Sequence, residues 1–129
     1  MCKKYLIPII IFVFILIVII FLLYSRKKEH IVGMPKLTLY YTDWCGHSKA
    51  FMNTWQKLKD NGNATFVQYE CDQEPNMCKN VPIGANGNVI DIDGYPTLIL
   101  TRPDGINVHY NGNRDINDIE NFIIQNSNL

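Results

Sequence analysis

The chain has 129 residues, four cysteines and a formal net charge of zero, and its length suits one modest domain. Residues 36–129 carry seven Lys/Arg and eleven Asp/Glu, so this part is net acidic by four. This balance excludes nucleic acid as a predicted partner, because phosphate recognition needs a basic patch. No Cys/His cluster has the spacing of a zinc site, so no metal and no cofactor is predicted.

Residues 5–24 form an uncharged, apolar run that follows a short tail, residues 1–4. As a helix this run would be about 30 Å long, which matches the hydrocarbon core of a bilayer. It therefore predicts a transmembrane anchor through which the chain meets the membrane. A cleaved signal peptide is the alternative, although its apolar run is usually shorter and ends in small residues. Residues 25–35 begin with Ser25-Arg26-Lys27-Lys28 and are predicted to be a basic juxtamembrane linker.

The remaining residues, 36–129, predict one α/β domain in which strands and helices alternate. The apolar spacing predicts helices at 47–60 and 115–125, with Asn61-Gly62-Asn63 ending the first of them. Residues 81–88 are predicted to be a loop because they contain Pro82, Gly84 and Gly87. This order predicts a mixed central sheet flanked by helices. The predicted strands are residues 36–41, 64–70, 97–101 and 106–110, and a short helix is predicted around 74–80.

Cys45 follows the first predicted strand and precedes the first predicted helix. The unpaired N–H groups and the dipole of a helix N-terminus favour a thiolate, and a protonated His47 would add to that effect. Since the thiolate is the form that attacks a disulfide, Cys45 is a candidate nucleophile. The alternative is a buried and inert cysteine.

The sequence Trp44-Cys45-Gly46-His47-Ser48-Lys49 resembles the active-site motif of protein disulfide isomerases, with Ser48 in place of the second cysteine. Gly94-Tyr95-Pro96-Thr97 resembles the cis-proline segment of the same family. The resemblance extends over most of residues 36–125 and implies a thioredoxin-like fold for the domain at 36–129. It implies that Cys45, Gly46, His47 and Ser48 form the catalytic motif. It also implies that Trp44, Tyr95 and Pro96 contact client proteins that carry disulfides or thiols, with a cis Tyr95–Pro96 bond facing Cys45.

The resemblance further implies a structural disulfide between Cys71 and Cys78, with two free cysteines as the alternative. Such a bridge indicates an oxidising compartment, and the glycosylation sequon Asn63-Ala64-Thr65 points the same way. The basic residues after the apolar run favour a cytosolic domain by the positive-inside rule. The orientation therefore stays open, with the balance slightly towards a lumenal or extracytosolic domain.

Two residues depart from the isomerase pattern. Ser48 cannot close a disulfide with Cys45, and Leu39 stands six residues before Cys45, where the family usually has a buried carboxylate. Arg114 matches an arginine that tunes the absent second cysteine, so its catalytic role stays open. The sequence predicts monothiol capture or isomerisation of client disulfides without net oxidation. The alternatives are a redox-inactive binding or structural module in a membrane complex, and a glutaredoxin-like binder of glutathione or a cluster.

Overall fold

A computed structural model of the chain describes residues 11–20 and 33–127, in two units, Met1–Ile31 and Val32–Leu129. In the first unit, residues 11–20 are helical and all their side chains are exposed, from 39% at Val18 to 66% at Phe14. Of the predicted anchor, residues 5–10 and 21–24 lie outside the described residues, as do the tail and most of the linker. No helix within the described part of the chain is long and apolar enough to cross a membrane.

The second unit contains a four-stranded mixed sheet, a two-stranded sheet and two α-helices within its described residues. The elements, in chain order, are β1 (Lys36–Tyr41), α1 (Gly46–Asn61), β2 (Thr65–Glu70), a 3-10 helix (Pro75–Cys78), β3 (Val81–Ile83), β4 (Asn88–Ile90), β5 (Thr97–Thr101), β6 (Asn107–His109) and α2 (Ile116–Ser127). The order of the larger sheet is β2-β1-β5-β6, in which β1 pairs parallel with β2 and antiparallel with β5, and β5 pairs antiparallel with β6. The predicted mixed sheet flanked by helices is therefore confirmed.

Alternating residues of β1 and β5 build two separate hydrophobic clusters, one on each face of the sheet. One face carries Leu37, Leu39, Leu98 and Leu100, which pack against both α-helices. The opposite face is covered by the 3-10 helix and the segment that follows it, and its buried residues are Tyr40, Cys71, Cys78, Val81, Ile92 and Ile99. Both faces of β1 are thus buried, which holds the residues that follow it in place.

Helix α1 forms close to its predicted bounds because its apolar residues recur on one side. Phe51, Trp55 and Leu58 are almost completely buried, and the Trp55 indole also donates a hydrogen bond to Gln68 Oε1 on β2 at 2.8 Å. Gly62 ends the helix in the left-handed conformation, with φ of 69°, as glycine at this position usually does.

The loop prediction for residues 81–88 is wrong at both ends. Val81–Ile83 and Asn88–Ile90 pair antiparallel as β3 and β4. The glycines taken as loop signals lie in the turn, and both Gly84 and Gly87 have positive φ, a conformation that tight hairpin turns require. Asn107 holds the hairpin against β6, because its side-chain amide donates to Pro82 O at 2.9 Å and its carbonyl accepts from Gly84 N. The short helix predicted at 74–80 is a single 3-10 turn that begins at a proline.

Candidate functional site

Cys45 lies at the start of α1, immediately after the turn that leaves β1. It is the N-cap residue, with an extended backbone at φ −75° and ψ 118°, and its carbonyl oxygen accepts a hydrogen bond from Lys49 N at 3.1 Å. Its side chain makes no capping hydrogen bond and is partly exposed, and Cys45 is the free cysteine among the described residues. The first amides of the helix are therefore available to stabilise a charge on this sulfur.

The pKa of the Cys45 thiol is lowered from its ordinary value. The largest cause of the lowered pKa is the backbone amide of Ser48. The backbone amide of His47, the hydroxyl of Ser48 and the positive charge of Arg114 also lower it. Burial of the sulfur opposes these effects. His47 thus acts here through its backbone, whereas the sequence had suggested its imidazole. A lowered pKa favours the thiolate, which is the nucleophilic form of cysteine.

Ser48 lies in the first turn of α1 and is almost completely buried, with 1% of its surface exposed. Within the described chain, no hydrogen-bond partner satisfies its hydroxyl. The same hydroxyl nevertheless lowers the pKa of Cys45, so it is placed to donate to the sulfur once the sulfur is ionised. Ser48 is thus a buried hydroxyl without a hydrogen-bond partner among the described residues, and the ionised Cys45 sulfur is an acceptor that would satisfy it.

The cis-proline segment faces Cys45, as the resemblance implied. The Tyr95–Pro96 peptide bond is cis, and the Tyr95 carbonyl accepts a hydrogen bond from Cys45 Sγ at 3.5 Å. Burial, followed by the charge of Asp72, raises the pKa of Tyr95. Its phenol therefore stays protonated and donates to Ile92 O at 3.2 Å. The segment presents its backbone beside the sulfur.

Trp44 forms an exposed aromatic surface next to Cys45. The side chain is 66% exposed, and its ring meets the Tyr95 ring edge to face, with the centroids 6.1 Å apart. The indole N–H donates to Asp72 Oδ2 at 2.7 Å, which fixes the direction of the ring. The predicted client-contact residues Trp44, Tyr95 and Pro96 are thus brought together with the sulfur.

Two acidic residues that the sequence analysis missed hold the loop before Cys45. Glu70 is buried and accepts from Asp43 N at 3.1 Å and from Gln73 N at 2.7 Å, while Asp72 holds the Trp44 indole. Their position at the end of β2 and just after it could have indicated this role. Because β1 and β2 pair in parallel, their carboxyl ends meet at the edge of the sheet where sites of α/β proteins form.

Cys71 and Cys78 form a disulfide, with an S–S distance of 2.08 Å, which confirms the predicted pair. Cys71 lies between the two acidic residues that hold the loop, and Cys78 closes the 3-10 helix. Both cysteines are buried. The disulfide therefore joins the residue that follows β2 to the end of the 3-10 helix.

A cleft of about 420 Å³ lies beside the cis-proline, and Cys45 is not among the residues that line it. Arg114 lines it and donates through Nη2 to Pro96 O at 3.4 Å. Arg114 thus reaches the site in two ways, by contacting the proline carbonyl and by lowering the pKa of Cys45. Phe51, Tyr95 and Tyr110 also line this cleft.

The remaining predicted residues lie at the site or close to it. Leu39 is completely buried in the helix-facing cluster, so an apolar side chain fills the position of the family's carboxylate. Gly46 is the first residue of α1, and a Cβ built on it meets no atom within 4 Å, so packing alone does not require glycine there. No group of three or more His, Cys, Asp or Glu able to hold a metal ion occurs among the described residues.

Comparisons with known proteins agree with this geometry. The family model described as Thioredoxin matches residues 27–125. The thioredoxin domain-containing protein R362 of Acanthamoeba polyphaga mimivirus is 33% identical over 108 residues, which cover 77% of this chain and 30% of that protein. The protein disulfide-isomerase of Saccharomyces cerevisiae is 32% identical over 119 residues, covering 85% of this chain and 21% of that protein. The chain therefore spans less than a third of the length of these curated relatives.

Solved structures show the same fold. The crystal structure of the J-Trx1 fragment of ERdj5 matches with a TM-score of 0.62 at 19% identity, over 81% of this chain and 49% of that one. The zinc-bound form of human ERp44 matches with a TM-score of 0.56 at 24% identity, over 78% of this chain and 30% of that one.

Proposed function

The chain belongs to the thioredoxin family, and from that premise we propose that it is a membrane-anchored, monothiol protein of the disulfide isomerase type that captures client proteins through Cys45. One observation carries the proposal. Cys45 is a partly exposed sulfur with a lowered pKa, and it has a buried serine where a second cysteine would have to stand. A thiolate of this kind attacks disulfides and has no neighbouring thiol to displace the product.

The exchange proceeds without a change in the overall oxidation state. The Cys45 thiolate attacks one sulfur of a client disulfide, the client S–S bond breaks, and a mixed disulfide and a client thiolate form. A client thiolate then attacks the client sulfur of the mixed disulfide, which restores the Cys45 thiolate and closes a new client disulfide. Ser48 donates to the Cys45 thiolate before attack and after release but forms no bond to sulfur, so the lifetime of the mixed disulfide depends on the client.

The surface around the sulfur supports a protein client. The exposed Trp44 ring provides apolar contact area, and aromatic side chains dominate protein interfaces for this reason. The cis-proline segment presents the Tyr95 carbonyl to Cys45, and Arg114 holds the Pro96 carbonyl through a hydrogen bond. Trp44, Tyr95 and Pro96 therefore bind the client segment, while Gly46 and His47 form the start of the helix.

Two further observations support an anchored domain on the extracytosolic side. The helical residues 11–20 are apolar and exposed around the whole helix, as lipid-facing residues are. The Cys71–Cys78 disulfide suits an oxidising compartment. The proposed anchor is residues 5–24, as the uncharged apolar run suggests.

Thiol trapping tests the proposed exchange. Alkylation of intact cells, followed by non-reducing electrophoresis, should reveal mixed disulfides of the wild type that are absent from Cys45→Ala. The matched variant Ser48→Cys restores a second thiol and should leave fewer complexes, because that thiol displaces the client. An unchanged set of complexes in Cys45→Ala would refute the proposal.

A redox-inactive binding module is the second candidate, and it is favoured by the contact surface of Trp44, Tyr95 and Pro96, which does not require the sulfur. In this case Cys45 would be slow to alkylate across the pH range, and the Cys45→Ala variant would bind clients as the wild type does.

A further inference from the structure

The turn between α1 and β2 contains an acceptor sequence that the exchange chemistry does not use. Asn63, Ala64 and Thr65 follow the glycine that ends α1, and Thr65 is the first residue of β2. The chain is rich in asparagine, yet Asn63 is the one asparagine followed two positions later by serine or threonine. This spacing with a residue other than proline between them is the requirement for N-glycosylation.

Both functional groups of this tripeptide are accessible. Asn63 and Thr65 are exposed, whereas Ala64 between them is buried with the core. Within the described chain, neither the Asn63 amide nor the Thr65 hydroxyl makes a side-chain hydrogen bond, and Thr65 is held through its backbone N–H, which donates to Pro35 O at 2.8 Å. A substituent on Asn63 therefore breaks no hydrogen bond of its side chain.

The turn also lies far from the reacting sulfur. Cys45 caps the start of α1 and Asn63 follows its end, and the 16 residues between these points rise about 24 Å as an α-helix. A sugar chain on Asn63 would project from the end of the domain opposite Cys45, so clients keep their access to Trp44 and the cis-proline segment.

We propose that Asn63 is an N-glycosylation site, modified by an oligosaccharyl transferase with a lipid-diphosphate-linked oligosaccharide as donor. The Asn63 amide nitrogen bonds to the anomeric carbon of the oligosaccharide, the bond from that carbon to the phosphate oxygen breaks, and the lipid diphosphate leaves with the electron pair. A base of the transferase takes one amide proton. The inference rests on the extracytosolic placement proposed above, with which the buried disulfide agrees.

The test is the electrophoretic mobility of the full chain, made in a eukaryotic cell, before and after treatment with peptide N-glycosidase. The wild type should shift to higher mobility on treatment. Asn63→Gln and Thr65→Ala should run at the treated position from the start, whereas Thr65→Ser keeps the sequon and should still shift. Asn61→Gln is the matched control, because it makes the same change at an exposed asparagine two positions earlier, at the end of α1, and leaves the sequon intact.

An unshifted wild type, or a glycosidase-sensitive Asn63→Gln, would overturn the glycosylation site. Trapping Cys45 complexes from the same cells separates this result from the proposed exchange. If the complexes persist while the mobility shift is absent, only the proposed glycosylation site is overturned. If the shift occurs without Cys45-dependent complexes, only the proposed exchange is overturned. If the site is right, Asn63→Gln should form the same complexes as the wild type.

Discussion

Replacing Ser48 with alanine is expected to make the fold more stable and Cys45 less reactive. Ser48 is 1% exposed, and its hydroxyl has no hydrogen-bond partner among the described residues. Burying a hydroxyl without a hydrogen-bond partner lowers the free energy of unfolding by about 1–3 kcal/mol. Removing the hydroxyl regains less than this, because the packing contacts of its oxygen atom are lost as well. We therefore expect Ser48→Ala to raise the free energy of unfolding by about 1–2 kcal/mol at acid pH.

The gain should shrink as the pH rises. The folded pKa of Cys45 lies below its unfolded value, so the thiolate contributes stability that is present above the unfolded pKa and is lost as the pH falls through the folded pKa. The Ser48 hydroxyl is one cause of the lowered pKa. Ser48→Ala therefore loses the part of the thiolate's contribution to stability that comes from this hydroxyl. The backbone amide of residue 48 remains in the variant, so the pKa of Cys45 should rise but stay below its ordinary value.

Two measurements check this prediction on the full chain in detergent micelles. Urea unfolding followed by tryptophan fluorescence reports on the domain, because both tryptophans of the chain, Trp44 and Trp55, lie in it. The rate of Cys45 alkylation against pH gives the thiol pKa directly. A less stable Ser48→Ala at acid pH, or an unchanged alkylation profile, would refute the reasoning about the unpartnered hydroxyl.

Three further predictions concern the surroundings of the site. Replacing Cys71 and Cys78 with alanine opens a loop of residues 71–78 and should lower the free energy of unfolding by about 2.5 kcal/mol; urea unfolding of the wild type under reducing conditions should show the same loss, and equal stability would contradict it. Trp44→Phe removes the donor to Asp72 and should change stability by less than about 0.5 kcal/mol, while the yield of trapped complexes falls; an unchanged yield would argue against Trp44 as a client contact. Leu39→Ala should destabilise the fold by about 2–5 kcal/mol without slowing alkylation of the folded protein at neutral pH, whereas Leu39→Met should cost less than about 1.5 kcal/mol; slower alkylation in Leu39→Ala would give Leu39 a direct effect on the sulfur.

Local patterns determined the elements that position the site. The buried strand before Cys45, the apolar side of α1 and the glycine that ends it all follow from residue spacing within one element, and each was predicted close to its observed bounds. The position of Cys45 at a helix start followed from the same patterns. The cis bond before Pro96 and the Cys71–Cys78 pair were implied by resemblance to a family, since spacing alone does not fix either.

The tertiary structure decided what surrounds the sulfur. The hydrogen bonds of Glu70 and Asp72 to the loop before Cys45 join residues 27 and 28 positions apart, and they form because β1 and β2 pair in parallel with their carboxyl ends together. The contact of the β3–β4 hairpin with β6 likewise joins distant residues, because Asn107 bonds Pro82 and Gly84. The resemblance to the isomerase motif predicted Ser48 in the place of a second cysteine. Only the tertiary structure shows that the Ser48 hydroxyl is buried without a hydrogen-bond partner, because its surroundings are set by every segment that packs around it and not by the motif.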